Sequence, residues 1–157
     1  MRKTVATAEQ TYVDPSALSR LYFHHEEGSR EMAAWRKKTR GSLPVTHHGH
    51  TEVVNAIGLA VFRGSLAPED ASDSWKWLED DFVSGHLLKA DILWRGALNR
   101  AADLSREHTP ALGSRSLDVV HVACALELHL RAFLTFDHRR QELAAATGMK
   151  VIRLIST

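Results

Sequence analysis

Ser116-Leu117-Asp118-Val119-Val120-His121-Val122-Ala123-Cys124-Ala125-Leu126-Glu127-Leu128-His129-Leu130-Arg131 runs directly into Ala132-Phe133-Leu134-Thr135 and then Phe136-Asp137-His138-Arg139-Arg140. In the first part Val119, Val120, Val122, Ala123, Ala125, Leu126 and Leu130 cover most of a helix surface, the pattern of a helix packed on more than one side. Ala132 to Thr135 reads as a short strand. Asp137 then opens a helix carrying Leu143 and Ala146, Gly148 caps it, and Val151 to Leu154 reads as a last strand. A buried helix feeding a strand that hands over to another helix is the unit of a parallel sheet with helices on its faces.

The same alternation extends toward the N-terminus. Thr11-Tyr12-Val13 is a short β-prone run, ended by Asp14 before Pro15, which suits a first helical turn because it lacks the donor that turn cannot use. Helices are expected from about Pro15 to His25 and from Ser29 to Thr39, with Gly41 as the break and Leu43 to Thr46 as a strand. Thr51 opens a helix with Val53, Val54, Ile57, Ala60 and Val61 at helical spacing, placing Glu52 in its first turn. Pro68 starts a helix through Trp75, Leu78 and Phe82, and His86-Leu87-Leu88 is extended. Asp91 begins a helix through Leu104, and Thr109 to Ser114, with Pro110 and Gly113, reads as a loop. An α/β fold is expected, with a mostly parallel central sheet flanked by helices. One domain would span residues 11–157, after a flexible extension over residues 1–10.

The 157 residues, 44% of them apolar, suit one domain with a real core. Lys and Arg number 20 against 19 Asp and Glu, a net charge of +1, so any attraction to nucleic acid must be local. The single cysteine, Cys124, excludes an intramolecular disulfide and a multi-cysteine zinc site, and fits a reducing compartment. No apolar run approaches the roughly 18 to 20 residues of a membrane span. Residues 1–10 hold no hydrophobic stretch of the signal-peptide kind, so a soluble, cytoplasmic protein is expected.

In sheets of this type ligands gather beyond the carboxyl ends of the strands. Asp14 follows the first strand, Glu52 opens the helix after the second, Asp137 follows Ala132 to Thr135, and Asp118 lies in the first turn of the buried helix. Each has an ordinary structural reading: Asp14 and Asp137 as helix caps, Glu52 and Asp118 as acids complementing a helix dipole. Their recurrence at equivalent junctions points instead to one anionic site. Four adjacent carboxylates resist ionisation, a conflict that a divalent cation removes. Oxygen ligands select a hard ion, Mg²⁺ or Mn²⁺, and the implied chemistry is phosphodiester hydrolysis.

Tyr12-Val13-Asp14-Pro15-Ser16-Ala17-Leu18, Thr51-Glu52-Val53-Val54-Asn55-Ala56, Arg115-Ser116-Leu117-Asp118-Val119-Val120-His121-Val122-Ala123 and Leu134-Thr135-Phe136-Asp137-His138-Arg139-Arg140-Gln141 together resemble the PIN-domain ribonucleases, specifically the VapC-type toxins of VapBC toxin-antitoxin pairs. The resemblance covers Thr11 to about Leu154. It implies a PIN-like three-layer sandwich and a Mg²⁺- or Mn²⁺-dependent endoribonuclease with Asp14, Glu52, Asp118 and Asp137 as the catalytic, metal-binding quartet. It also implies a homodimer, and a VapB-type antitoxin whose peptide covers the acidic groove. Ser16 would hold a water on the ion, orient Asp14, or make only a local bond in its helix turn. Thr135 would orient Asp137, and Asn55 would help place substrate or make a polar contact. Arg115, Arg139 and Arg140 stand where they could hold RNA phosphates, against the ordinary reading as surface arginines.

Two departures from the family pattern stand out. Pro15 replaces the threonine common in relatives, which stiffens the turn without removing a ligand. His47-His48-Gly49-His50 precedes Glu52; these histidines could contact phosphate, donate protons or bind a soft metal, while as loop residues they would simply face solvent. His121, on the face of Asp118, could help the site, but reads first as a hydrogen-bonded structural histidine. The tryptophans Trp35, Trp75, Trp77 and Trp94 read as core or interface rather than base-stacking platforms. Two other functions compete: a catalytically weak PIN-fold module that binds RNA or protein, and a haloacid-dehalogenase-like phosphatase. The latter needs an aspartate two residues after Asp14, where Ser16 stands. The target RNA, the number of ions and the antitoxin-binding face are not written in the sequence.

Overall fold

Alternate residues of a strand point to opposite faces, so a parallel sheet whose central strand, Ala132-Phe133-Leu134, is wholly apolar must be covered on both sides. A computed structural model describes residues 7–24 and 26–154. Among the described residues the strands are β1 (Thr11–Val13), β2 (Leu43–Thr46), β3 (Leu87–Ala90), β4 (Ala132–Leu134) and β5 (Lys150–Ile152). The helices are α1 (Pro15–Leu18), α2 (Ser29–Lys38), α3 (His47–Phe62), α4 (Pro68–Ser84), α5 (Trp94–Leu112), α6 (Ser116–Glu127) and α7 (His138–Ala146). β1, β4 and β5 form one parallel sheet in that order, and β2 pairs in parallel with β3 alongside β1.

In register, Tyr12 lies beside Phe133 and Val13 beside Leu134. Val13 and Leu134 face a core layer built by α1 to α4, with Leu18, Met32, Val53, Ile57 and Leu78 fully buried. Tyr12 and Phe133 face a second layer built by α5 to α7, with Val122, Ala123, Ala125 and Leu143 fully buried. The molecule is therefore an α/β three-layer sandwich with parallel strands between two helical layers, as its hydrophobic pattern predicts. α6 is the most enclosed helix: Val119, His121, Val122, Ala123, Cys124 and Ala125 are all buried.

Several boundaries differ from expectation, each for a local reason. Thr46 caps α3, its Oγ1 accepting a hydrogen bond from the Gly49 N–H at 2.8 Å, so the helix starts at His47 and not at Thr51. Glu52 therefore lies in the second turn, and His47, His48 and His50 are helical instead of loop residues. α5 begins at Trp94, later than Asp91, and runs through Pro110 to Leu112 where a loop was expected. Proline removes a donor only in that final turn, and Leu112 packs against the second core layer and holds it. α6 ends at Glu127, short of Arg131, because His129 takes a left-handed φ of 55° and turns the chain into β4.

The first helix breaks after Leu18 into a 3-10 turn over Ser19–Leu21, and its expected end at His25 lies outside the described residues. The expected flexible extension is shorter than residues 1–10. Ala8–Gln10 form a 3-10 turn with Ala8 fully buried, whereas residues 1–6 lie outside the described residues. Trp35 packs against the first core layer, but Trp75, Trp77 and Trp94 are 36–43% exposed, so three of the four tryptophans are not core. Among the described residues no helix is long and apolar enough to cross a membrane.

Candidate functional site

The carboxyl ends of β1 and β4 lie side by side, and the chain leaving each carries an acid. Asp14 follows β1, its N–H donating to the Leu134 carbonyl at 2.9 Å. It occupies the N-cap position of α1, yet its carboxylate makes no capping bond and is fully buried. One oxygen, Oδ2, accepts from the Ser16 hydroxyl at 2.8 Å and the Thr135 hydroxyl at 2.7 Å. The other, Oδ1, accepts from Arg140 Nη1 at 2.5 Å.

Asp118, in the first turn of α6, accepts from the Arg115 N–H at 2.9 Å through Oδ2 and from Arg140 Nε at 2.7 Å through Oδ1. Asp137 caps α7 by accepting from the Arg140 N–H at 3.1 Å, and its own N–H donates to Thr135 Oγ1 at 3.0 Å. Arg140 thus ties three acids from separate chain segments together, two through its guanidinium and one through its backbone. Burial lowers the Arg140 pKa, but Asp14, Asp118 and Asp137 overcome this and raise it above the usual value. Burial likewise pushes the Asp118 carboxyl up, and the bonds from Arg140 and the Arg115 N–H outweigh it and hold the carboxyl below the usual range. Two carboxylates bind the guanidinium and a third caps the helix that carries it, so the cluster holds more acids than bases.

Glu52 belongs to a neighbouring arrangement. Its Oε2 lies 3.0 Å from His121 Nε2 and its Oε1 2.9 Å from His48 Nε2. His121 Nδ1 lies 2.7 Å from the Tyr12 hydroxyl. Burial pushes the Glu52 carboxyl up, but the hydrogen bond and charge of His121, with the charges of His48 and Arg140, hold it below its usual range. Tyr12 precedes Asp14 on β1 and its junction, and His121 follows Asp118 on α6, so both arrangements share one edge of the sheet. Among the described residues, the group of three or more ligand-type side chains whose donor atoms all lie within 4.8 Å of one another is His48, Glu52 and His121.

The other expected site residues divide. Ser16 orients Asp14. Thr135 does more than expected: its hydroxyl donates to Asp14 and accepts from the Asp137 backbone, joining two acids. Asn55 is exposed on α3, outside these hydrogen bonds. The Arg115 and Arg139 side chains are exposed, and the charge of Arg139 also helps to lower the Asp118 pKa. Arg140, read as a surface arginine that could hold phosphate, turns inward onto Asp14 and Asp118 instead. His47 pairs at the surface with Asp91 at 3.1 Å, and His50 with Glu79 at 2.7 Å.

The sequence reading missed the partnership of Tyr12, His48 and His121 with Glu52. The signal was present in the i, i+4 spacing of His48 and Glu52, hidden by starting α3 at Thr51. A cleft of about 480 Å³, lined by Ser16, Arg20, Ala56 and Arg63 among others, opens next to the acids without containing them. The chain matches no protein-family model, and no curated protein is significantly similar to it.

Proposed function

We propose that the protein is a Mg²⁺- or Mn²⁺-dependent endoribonuclease of the PIN type, the toxin of a type II toxin-antitoxin pair. The observation that carries this reading is the Arg140 guanidinium held between Asp14 and Asp118. A cation already stands where carboxylates from distant parts of the chain converge, which marks the place where positive charge is favoured. The donor set fits a hard ion, being oxygen only and anionic after the arginine is counted. Asp14, Asp118 and Asp137 would hold the ion, and Glu52 would join them by turning from His121 and His48. Such an ion, when bound, activates water and neutralises charge on a leaving oxygen.

The surrounding residues prepare this chemistry. Ser16 and Thr135 fix Oδ2 of Asp14, leaving Oδ1 to face the cation. The Arg115 N–H fixes Asp118 in the same way. Once an ion takes its place, the Arg140 guanidinium is free to pair with a phosphate, and exposed Arg115 and Arg139 add local positive charge. RNA as substrate, the homodimer and the VapB-type antitoxin follow from the motif resemblance. Exposed apolar side chains such as Phe62, Val83 and Leu93 supply surface for protein partners.

The same guanidinium favours one second reading, a catalytically weak binding module in which Arg140 permanently neutralises the acids. Incubation of the purified protein with a mixed RNA pool, with Mg²⁺, Mn²⁺ or chelator, followed by mapping of the new ends, separates the two. Metal-dependent cleavage, abolished by Asp14→Asn and by Asp118→Asn in folded variants, is the expected result. Cleavage that persists in both variants removes the site assignment, and absence of cleavage with every ion leaves the binding module.

A further inference from the structure

His48 Nε2 is a buried atom with no hydrogen-bond partner, although it lies 2.9 Å from a Glu52 oxygen. It is near enough to that carboxylate but misaligned for donating to it. A buried polar nitrogen left in this way is costly, and a shared ion is the arrangement that satisfies it. Ligand atoms held tetrahedrally at about 2.0–2.2 Å from one zinc-type ion lie about 3.3–3.6 Å apart. Glu52 stands 2.9 Å from His48 and 3.0 Å from His121, and the three donor atoms all lie within 4.8 Å of one another, so small side-chain rotations bring them to that spacing.

We propose that His48, Glu52 and His121 form a binding site for a borderline divalent transition ion of the zinc type, separate from the aspartate cluster. Two imidazoles and a carboxylate are the donor set such ions prefer, whereas magnesium prefers oxygen alone. The supporting residues are in place. The Tyr12 hydroxyl lies 2.7 Å from His121 Nδ1, and its oxygen accepts a hydrogen bond from the Nδ1–H when Nε2 binds metal, fixing the tautomer. Trp94 packs edge-on against the His48 ring, with centroids 5.8 Å apart, and limits its rotation. The His48 and Glu52 side chains are 37% and 26% exposed, so an ion and one or more waters can enter from solvent. This site goes beyond the nuclease reading and rests on separate observations, but both draw on Glu52: an ion held here keeps Glu52 on the histidines and leaves Asp14, Asp118 and Asp137 to hold theirs without it.

The test is calorimetric titration of the full chain with Zn²⁺ in the presence of excess Mg²⁺, repeated with Co²⁺ and followed by visible absorption. One Zn²⁺ per chain is expected, with X-ray absorption showing two imidazole ligands. His48→Ala, at a half-exposed position and checked for folding by circular dichroism, should weaken binding by at least about tenfold, and Tyr12→Phe by about tenfold. Asp14→Asn and Asp118→Asn should leave it unchanged. No saturable zinc binding, a zinc ion without imidazole ligands, or binding that survives His48→Ala but disappears in Asp14→Asn overturns the proposal. RNA cleavage in Mg²⁺ alone reports separately on the nuclease reading.

Discussion

Asp14 has no access to solvent, and a carboxylate in that position is tolerable only if something positive or strongly donating meets each of its oxygens. Ser16 and Thr135 meet one and Arg140 the other. Removing one partner of a buried ion pair is costly because the remaining charge is left uncompensated. Arg140→Met is therefore expected to destabilise the metal-free protein by on the order of 3 kcal/mol. Millimolar Mg²⁺ should raise the melting temperature of the variant more than that of the wild type. A variant as stable as the wild type without metal would remove Arg140 as counter-ion.

The same residue governs acid stability. Asp118 is held below its ordinary pKa of about 3.9. A depressed carboxylate contributes stability that is full above its unfolded value and is lost as pH falls through its folded one. Loss of stability below about pH 4 should thus be shallower in Arg140→Met, as followed by urea titration across pH.

At the level of elements, the start of α3 decides what Glu52 can reach. With Thr46 as cap, His48 falls one turn before Glu52 on the same face, and both turn toward His121 on α6. Thr46→Ala is expected to cost about 1 kcal/mol through loss of the bond to the Gly49 N–H. Chemical denaturation measures it, and unchanged stability would place the true helix start nearer Thr51. A different constraint acts between α2 and the segment after β4. Gly28 has φ 87° beneath the Phe136 ring, where an added Cβ would lie 2.8 Å from Phe136 Cε1. Only glycine allows that backbone and that approach.

For the whole molecule, α6 is the shared wall of the second core layer and the edge that carries the acids, so its accessibility reports on the global fold. Cys124 is 1% exposed, and burial, with the charges of Glu127 and Glu52, pushes its thiol up to about 11. Thiol reagents should react with the native protein only at the rate of opening, and titrate one thiol per chain in denaturant. Rapid labelling of the folded protein at pH 8 would contradict the buried placement of α6.

Local pattern alone determined the order of strands and helices, the buried character of α6 and the junction positions of Asp14, Asp118 and Asp137. Those features depend on periodicity, on proline and on residues close in the chain. Even the plain cap role considered for Asp14 could be weighed from sequence, though only its hydrogen bonds to Ser16, Thr135 and Arg140 showed that its side chain does not cap. Which acids actually meet was decided by tertiary structure. Arg140 reaches Asp14 across 126 positions and His121 reaches Glu52 across 69. No local propensity encodes such contacts. They arise when the apolar faces of the sheet and helices close, and the buried charges must then take whichever partners the closed core sets beside them.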